Sequence, residues 1–196
     1  MRYPREQKAE TRRRILDAAA RLFRESGYDG VGVDAIMSEA GMTAGGFYAH
    51  FDSKEALFAE AMTTALGPDR GLRAIKGNTV GTVDPLVGLI KGYLSRTHRD
   101  NVSSGCPLPA LTSDVSRKSD ATRESYELEF LRFLSEIENL LSESSSSSRD
   151  QALAIIAQCV GGLMLSRAVK NEKLSDQILR SCRVAALKIR EDEQNE

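Results

Sequence analysis

GMTAGGFYAHF, Gly41 to Phe51, reads as a short helix made of residues that resist one. Gly45 and Gly46 stand side by side in its middle, and each costs about 1 kcal/mol relative to Ala in a helix interior. Two readings compete. Either another molecule must come very close to this backbone, or the glycines let the preceding helix pack tightly against it. The flanking residues still favour a helix. Thr43 is placed to cap it by accepting from its free N–H groups. Phe47 and Phe51, four residues apart, give it one buried side. Gly41 suits the left-handed conformation of a tight turn between two helices.

Working outward, the apolar spacing is helical almost everywhere. Ile15, Leu16, Ala19, Leu22 and Phe23 form one stripe, which predicts an amphipathic helix from Thr11 to Ser26 with Gly27 as its stop. Val33, Ile36, Met37 and Ala40 mark a second, short helix. Asp52 or Ser53 caps a fourth, whose Leu57, Phe58, Ala61, Met62 and Ala65 face inward. Three short helices with a glycine turn between the second and third describe a helix-turn-helix unit. A Gly- and Pro-rich break, GPDRGLRAIKGNTVGTVDP, follows at Gly67 to Pro85 and contains or closely follows a domain boundary. Five more helices are predicted beyond it: Pro85 to Arg99, Pro107 to Arg117, Ala121 to Leu141, Asp150 to Val169 and Ser175 to Arg190. Ser144 to Ser148 reads as a flexible loop. With no strand-like alternation, the fold class is all-α.

Composition narrows the function classes. The net charge of −1 gives no global sign of a polyanionic partner, but its distribution does. Arg2, Arg5, Lys8, Arg12, Arg13, Arg14, Arg21 and Arg24 crowd the start against only Glu6, Glu10 and Asp17, which reads either as an arm suited to phosphate or anionic surfaces or as a solvated helix face. The start lacks the apolar core of a signal peptide. The most apolar run, Ala152 to Leu165, is too short to span a bilayer. Cys106, Cys159 and Cys182 are odd in number and widely spaced, giving neither a disulfide framework nor a metal motif. The expectation is a reduced cytoplasmic protein with no membrane partner, no metal and no cofactor.

The stretch ILDAAARLFRESGYDGVGVDAIMSEAGMTAGGFYAHFDSKEALFAEAM resembles the DNA-binding domain of the TetR family of transcriptional regulators, over about Thr11 to Met62. The resemblance implies a helix-turn-helix domain over residues 1–52. It also implies an effector-binding and dimerisation domain over 53–196, whose first helix, 53–66, connects the two. In that family the quoted helix lies in the DNA major groove. Gly45 and Gly46 would then let its backbone approach base edges and thymine methyls. Tyr48, His50 and Lys54 match positions that contact the DNA backbone or nearby bases. The family often has Lys where this chain has Ala44, and a hydroxyl residue at Val31 or Gly32. Fewer donors there imply more reliance on Arg5, Lys8 and Arg12. The quoted helix holds no Arg or Lys for bidentate reading of guanine, so specificity falls to Thr43, Tyr48, thymine methyls and DNA shape.

The same resemblance implies a homodimer on a pseudo-palindromic double-stranded DNA operator, acting as a repressor and released by a small-molecule or electrophile effector. The pairing helices would be the last two. ALAIIAQCVGGLMLSRAV is apolar around most of its circumference, Gly161 and Gly162 permit close approach, and Ile178, Cys182, Ala185 and Ile189 form a matching stripe. Candidate effector-lining residues are Tyr93, Leu94, Leu108, Leu111, Tyr126, Phe130, Phe133 and Leu163. In SSGCPLPAL, Cys106 stands where a helix begins, a position that lowers a thiol's pKa, with His98 and Arg99 near enough in sequence to help. A sensing cysteine is one reading and a small buried residue closing the turn is the other. Two rival functions stay open: a helix-turn-helix-derived protein-interaction module that no longer reads DNA, and a cysteine-dependent enzyme using Cys106 and His98.

Overall fold

The computed structural model describes residues 5–67, 84–141 and 148–191, and within them every regular element is helical. α1 (Arg5–Ser26) begins earlier than the apolar stripe alone indicates. Its first two turns are exposed and polar, so they carry no burial signal. α2 (Val33–Glu39) follows the predicted turn, and Gly41 adopts φ 70° at the corner beyond it. A side chain at Gly41 would meet the Arg14 guanidinium 2.7 Å away, where that group donates to the Ala40 carbonyl at 2.6 Å. The glycine therefore serves both the turn and the brace from α1.

The quoted segment is a 3-10 helix, η1 (Ala44–Ala49), rather than an α-helix. This is the tighter helix used in short pieces, and its single buried anchor is Phe47. Thr43 stands at its N-cap in extended backbone, but its side chain makes no capping bond, which corrects the expectation from sequence. Ser53 does cap α3 (Lys54–Leu66), accepting from the Ala56 amide at 3.0 Å.

Beyond the undescribed residues 68–83, which hold most of the expected domain break, Asp84 caps α4 (Pro85–Tyr93) through two amides. The single helix expected from Pro85 to Arg99 is two. The chain leaves helical geometry at Leu94 (φ −92°, ψ 46°), and Ser95 caps a separate α5 (Arg96–Asp100) by accepting from the His98 amide. Then come α6 (Leu108–Val115), α7 (Asp120–Glu138), α8 (Ser148–Ala168) and α9 (Glu172–Glu191). The expected loop at Ser144 to Ser148 lies outside the described residues except for the backbone of Ser148, which opens α8.

Two packing centres result. α1 crosses α2 and α3, burying Ile15, Ala19, Phe23, Phe47, Leu57 and Phe58. α8 is the hub of the second half, touching α4, α5, α6, α7 and, most extensively, α9. Over Arg149–Ala168, α8 is long and apolar enough to cross a membrane by length and composition, which the shorter run in the sequence did not indicate. Its buried Ala152, Ile155, Cys159 and Leu163 pack against helices of this chain. α3 joins the centres because it lies against both α1 and α7.

Gly162 is what lets α8 and α9 meet. A Cβ there would stand 2.7 Å from Cys182 Cβ and 2.9 Å from its Sγ, whereas one at Gly161 meets nothing within 4 Å. Gly162→Ala should therefore lower the stability of the chain by about 1–3 kcal/mol through overpacking. Gly161→Ala should leave it unchanged or raise it by up to about 1 kcal/mol through helix propensity. Thermal unfolding of the two variants side by side checks both.

Candidate nucleic-acid interface

η1 turns a bare face outward. Thr43, Ala44, Gly45, Tyr48 and Ala49 are exposed, and the Tyr48 ring, edge-on to buried Phe47 at 5.1 Å, is 74% accessible. A methyl at Gly45 would touch nothing within 4 Å, and one at Gly46 would make only an ordinary 3.7 Å contact with Met37 Cε. Neither glycine has a positive φ. Packing of α2 on η1 therefore does not require them, and the reading in which another molecule approaches this backbone gains.

Beside this face, the first turns of α1 and the end of η1 enclose an open groove of about 700 Å³, whose walls include Gln7, Lys8, Thr11, Arg14, Gly46 and His50. The sequence reading missed Gln7 and Thr11, which carry no charge. It named Arg14 only among the basic residues of the arm. His50 Nδ1 is buried without a hydrogen-bond partner. Burial, and then the charges of Lys8 and Arg12, hold the ring's pKa below its ordinary value of 6.5. A neutral ring with its lone pair on Nδ1 carries its proton on Nε2, which can donate to a phosphate.

Not every expected contact faces outward. Arg12 turns inward: its guanidinium pairs with Glu60 of α3 (Nη2 to Oε2, 2.5 Å) and lies over the Phe51 ring at 4.3 Å. It clamps α1 to α3 instead of reaching outward. Lys54 places its Nζ 4.2 Å above the Tyr28 ring, at the edge of the surface. Arg5 opens α1, and its side chain lies outside the described residues, as does Arg2.

In the C-terminal helices, Tyr93, Leu94, Leu108, Leu111, Phe133 and Leu163 are buried, while Tyr126 and Phe130 are half-buried and stacked at 6.0 Å. Tyr126 hydroxyl and Thr112 Oγ1 share a hydrogen bond of 3.2 Å. Cys106 is 2% exposed, and burial pushes its thiol pKa up, outweighing the Tyr93 hydroxyl and the Leu108 amide that pull it down. Of the two readings of Cys106, burial favours the small buried residue closing the turn, because desolvation exceeds the effect of the helix terminus. His98 does not activate it either. Its Nε2 accepts from the Cys106 backbone amide at 3.0 Å and its Nδ1 meets the Tyr93 carbonyl at 2.8 Å. Arg99 is occupied by Asp100, Ser175 and Asp176. Cys159 is inert, its pKa pushed to about 12 by burial.

Of the expected pairing residues, Gly161 faces outward, Gly162 and Cys182 touch each other within the chain, and Ile178, Ala185 and Ile189 are half-buried. The same two helices expose Leu153, Met164, Leu165, Leu174 and Val184, which the sequence reading did not single out.

Comparison with known proteins agrees with this geometry. The family described as bacterial regulatory proteins, tetR family, matches residues 15–61. The HTH-type transcriptional regulator LmrA of Bacillus subtilis (strain 168) is 30% identical over 169 residues, covering 83% of this chain and 89% of its own. The chain belongs to the TetR family. This TetR-family protein is a DNA-binding helix-turn-helix transcriptional regulator. The HTH-type transcriptional repressor DhaR of Mycobacterium sp. (strain GP1) is 25% identical over 86% of this chain and 88% of its own. A TetR-family regulator from Cytophaga hutchinsonii shares the fold with a TM-score of 0.73 at 20% identity, over 94% of this chain and 96% of its own. The reduced form of E. coli NemR does so with 0.72 at 18% identity, over 91% and 96%.

Because Gly45 has open space and ordinary backbone angles, Gly45→Ala in this TetR-family regulator should fold with an unchanged or raised melting temperature. It should bind specific DNA about tenfold more weakly, the size of one lost close base contact. Thermal unfolding together with a DNA titration separates this from a packing role, which would lower the melting temperature instead.

Proposed function

We propose that the chain acts as a homodimeric repressor on a pseudo-palindromic operator and releases it when a small molecule binds among its C-terminal helices. The observation that carries the DNA half is the outward face of η1, where Gly45 stands in open space and Tyr48 is largely exposed. The named repressor relative supports the sign of regulation. Thr43, Gly45, Gly46 and Tyr48 enter the major groove, while Lys8, His50 and Lys54 hold the phosphates. Arg12 supports them from behind by bracing α1 on α3.

The exposed apolar residues of α8 and α9, with the open surface at Gly161, supply the face on which a second copy pairs. Two-fold pairing sets the recognition elements about 34–36 Å apart when they enter successive major-groove turns. Connecting helix α3 carries effector-driven movement to the DNA-binding domain. Glu55 on α3 accepts from the Ser119 amide (3.0 Å), Ser119 Oγ (2.5 Å) and Thr122 Oγ1 (2.9 Å) at the start of α7. Tyr28, at the end of α1, donates its amide to Asp114 of α6 at 2.9 Å. A ligand that shifts α6 or α7 acts on the DNA-binding domain through these bonds. The buried, protonated Cys106 favours a reversible ligand over an electrophile.

Fluorescence anisotropy on the DNA upstream of the chain's own gene, against a scrambled duplex, tests the reading. Specific binding as a dimer is expected, with log affinity falling against log salt at a slope of about −0.9 per phosphate neutralised. Equal binding to both duplexes, with no palindrome recovered from random DNA, overturns it.

His50 adds a pH signature. In the free protein its proton affinity is depressed. A phosphate beside it stabilises the charged ring, so DNA binding takes up a proton. Affinity should therefore rise as pH falls through the region at and below 6.5 and decline as pH rises above it, and His50→Gln should flatten that dependence. Affinity measured at several pH values on both proteins checks this.

A further inference from the structure

His98 of α5 is 6% exposed, and both nitrogens of its ring are engaged. Nδ1 meets the Tyr93 carbonyl at 2.8 Å, and Nε2 accepts from the Cys106 amide at 3.0 Å. A carbonyl oxygen can only accept, so Nδ1 carries the proton and Nε2 the lone pair. The ring is thereby fixed as one neutral tautomer. A second proton, on Nε2, would face the Cys106 N–H donor to donor, and that bond would be lost.

The same bond closes the segment between α5 and α6, residues 101–107, on the ring. Gly105 lies so near that a Cβ there would stand 2.8 Å from His98 Nε2 and 2.9 Å from the Asn101 carbonyl oxygen. On its other side the segment meets the DNA-binding domain, where Arg24 of α1 donates from Nε to the Ser103 carbonyl at 2.7 Å. α6, which starts directly after Cys106 and Pro107, holds the Tyr28 amide through Asp114 at 2.9 Å. Both of these bonds to the end of α1 come from chain that the imidazole anchors.

The surroundings disfavour an imidazolium. Tyr93 of α4 meets the ring edge-on at 4.7 Å and, like the Cys106 thiol, is kept protonated by burial. Arg167 of α8 donates to the His98 and Arg99 carbonyls at 2.8 and 3.0 Å, and Arg24 approaches from α1. The carboxylates of the packed elements are occupied elsewhere: Asp100 and Asp176 by Arg99, Asp114 by Arg117 and the Tyr28 amide. Burial, opposed by the bond to the Tyr93 carbonyl and reinforced by the Arg167 charge, holds the ring's pKa below its ordinary value of 6.5.

We propose that His98 is a proton-operated latch: neutral, it holds residues 101–107 closed against the end of α1, and protonation opens them and releases α1 from α6. The closed form binds a proton less readily than the open one, whose ring regains an ordinary pKa. Closure is therefore complete above about pH 6.5 and weakens by up to about tenfold per pH unit below it. In a DNA-binding regulator this gives protons access to the domain junction independently of any ligand.

Amide hydrogen exchange on the full chain, read by NMR as protection factors from about pH 7.5 down to about pH 5, tests the latch. Protection of the Cys106 and Tyr28 amides should fall together, by about tenfold or more over that range. His98→Gln keeps an acceptor near the Nε2 position but does not titrate, and should hold both protections level. His50→Gln removes the chain's other histidine and should behave as the unaltered chain. Constant protection in the unaltered chain, the same fall in His98→Gln, or a fall at Cys106 that leaves Tyr28 unchanged overturns the proposal. Should His98→Gln fail to fold, the ring resonances of His98 in the unaltered chain carry the test. A ring that titrates below its ordinary value, together with the paired fall, upholds the latch, and one that titrates at or above that value overturns it.

Discussion

The ring of Tyr28 sits where the two halves of the molecule meet, and most of the architecture depends on how it is held. Phe58 of α3 meets it edge-on at 5.1 Å, and Phe23 of α1 stacks beside it at 6.0 Å. Two ammonium groups lie over the ring, Lys54 from α3 at 4.2 Å and Lys118 from the turn before α7 at 3.4 Å. Its backbone amide is fixed by Asp114, whose other oxygen takes Arg117 at 2.6 Å. Apolar burial, cation–π attraction and a charge-assisted hydrogen bond thus converge on one residue of an exposed-looking turn. Because α1, α3, α6 and the α7 entry all touch it, no one of them shifts without consequence for the others.

That junction gives the connecting helix its mechanical meaning. α3 is packed on α1 by Leu57, Phe58 and the Arg12–Glu60 clamp, and is tied to α7 through Glu55. Hydrogen bonding to Ser119 and Thr122 holds the Glu55 carboxyl below its ordinary range, so this tie is made by the ionised form. A helix shared by two cores cannot move against one without disturbing its packing on the other.

The local rules of helix building are broken at η1, on a face that the fold leaves open. Gly45 and Gly46 forgo helix propensity on a face that leaves room for a side chain. Among the described residues four buried polar side-chain atoms are without partners: His50 Nδ1 beside the groove between α1 and η1, and the Tyr93 hydroxyl, Glu129 Oε2 and Gln151 Oε1 in the C-terminal helices. Consistency between levels is what specifies a fold, so departures from it single out candidate sites.

The sequence by itself determined the helical class, the helix-turn-helix spacing, the glycine corner at Gly41 and a cap at Asp52 or Ser53. All of these follow from periodicity or from a residue's own backbone and side-chain preferences, which act over a few residues. Tertiary structure decided the rest, because it depended on neighbours far along the chain. Arg12 reads as a DNA contact until Glu60 and Phe51 arrive beside it. Cys106 leaves a sensing thiol and a buried turn residue both open until the surrounding helices remove its water. Gly161 and Gly162 are identical in sequence terms, yet Cys182 touches only the second. Glu129 looks like one more surface charge on α7, and only its burial makes its unsatisfied oxygen visible.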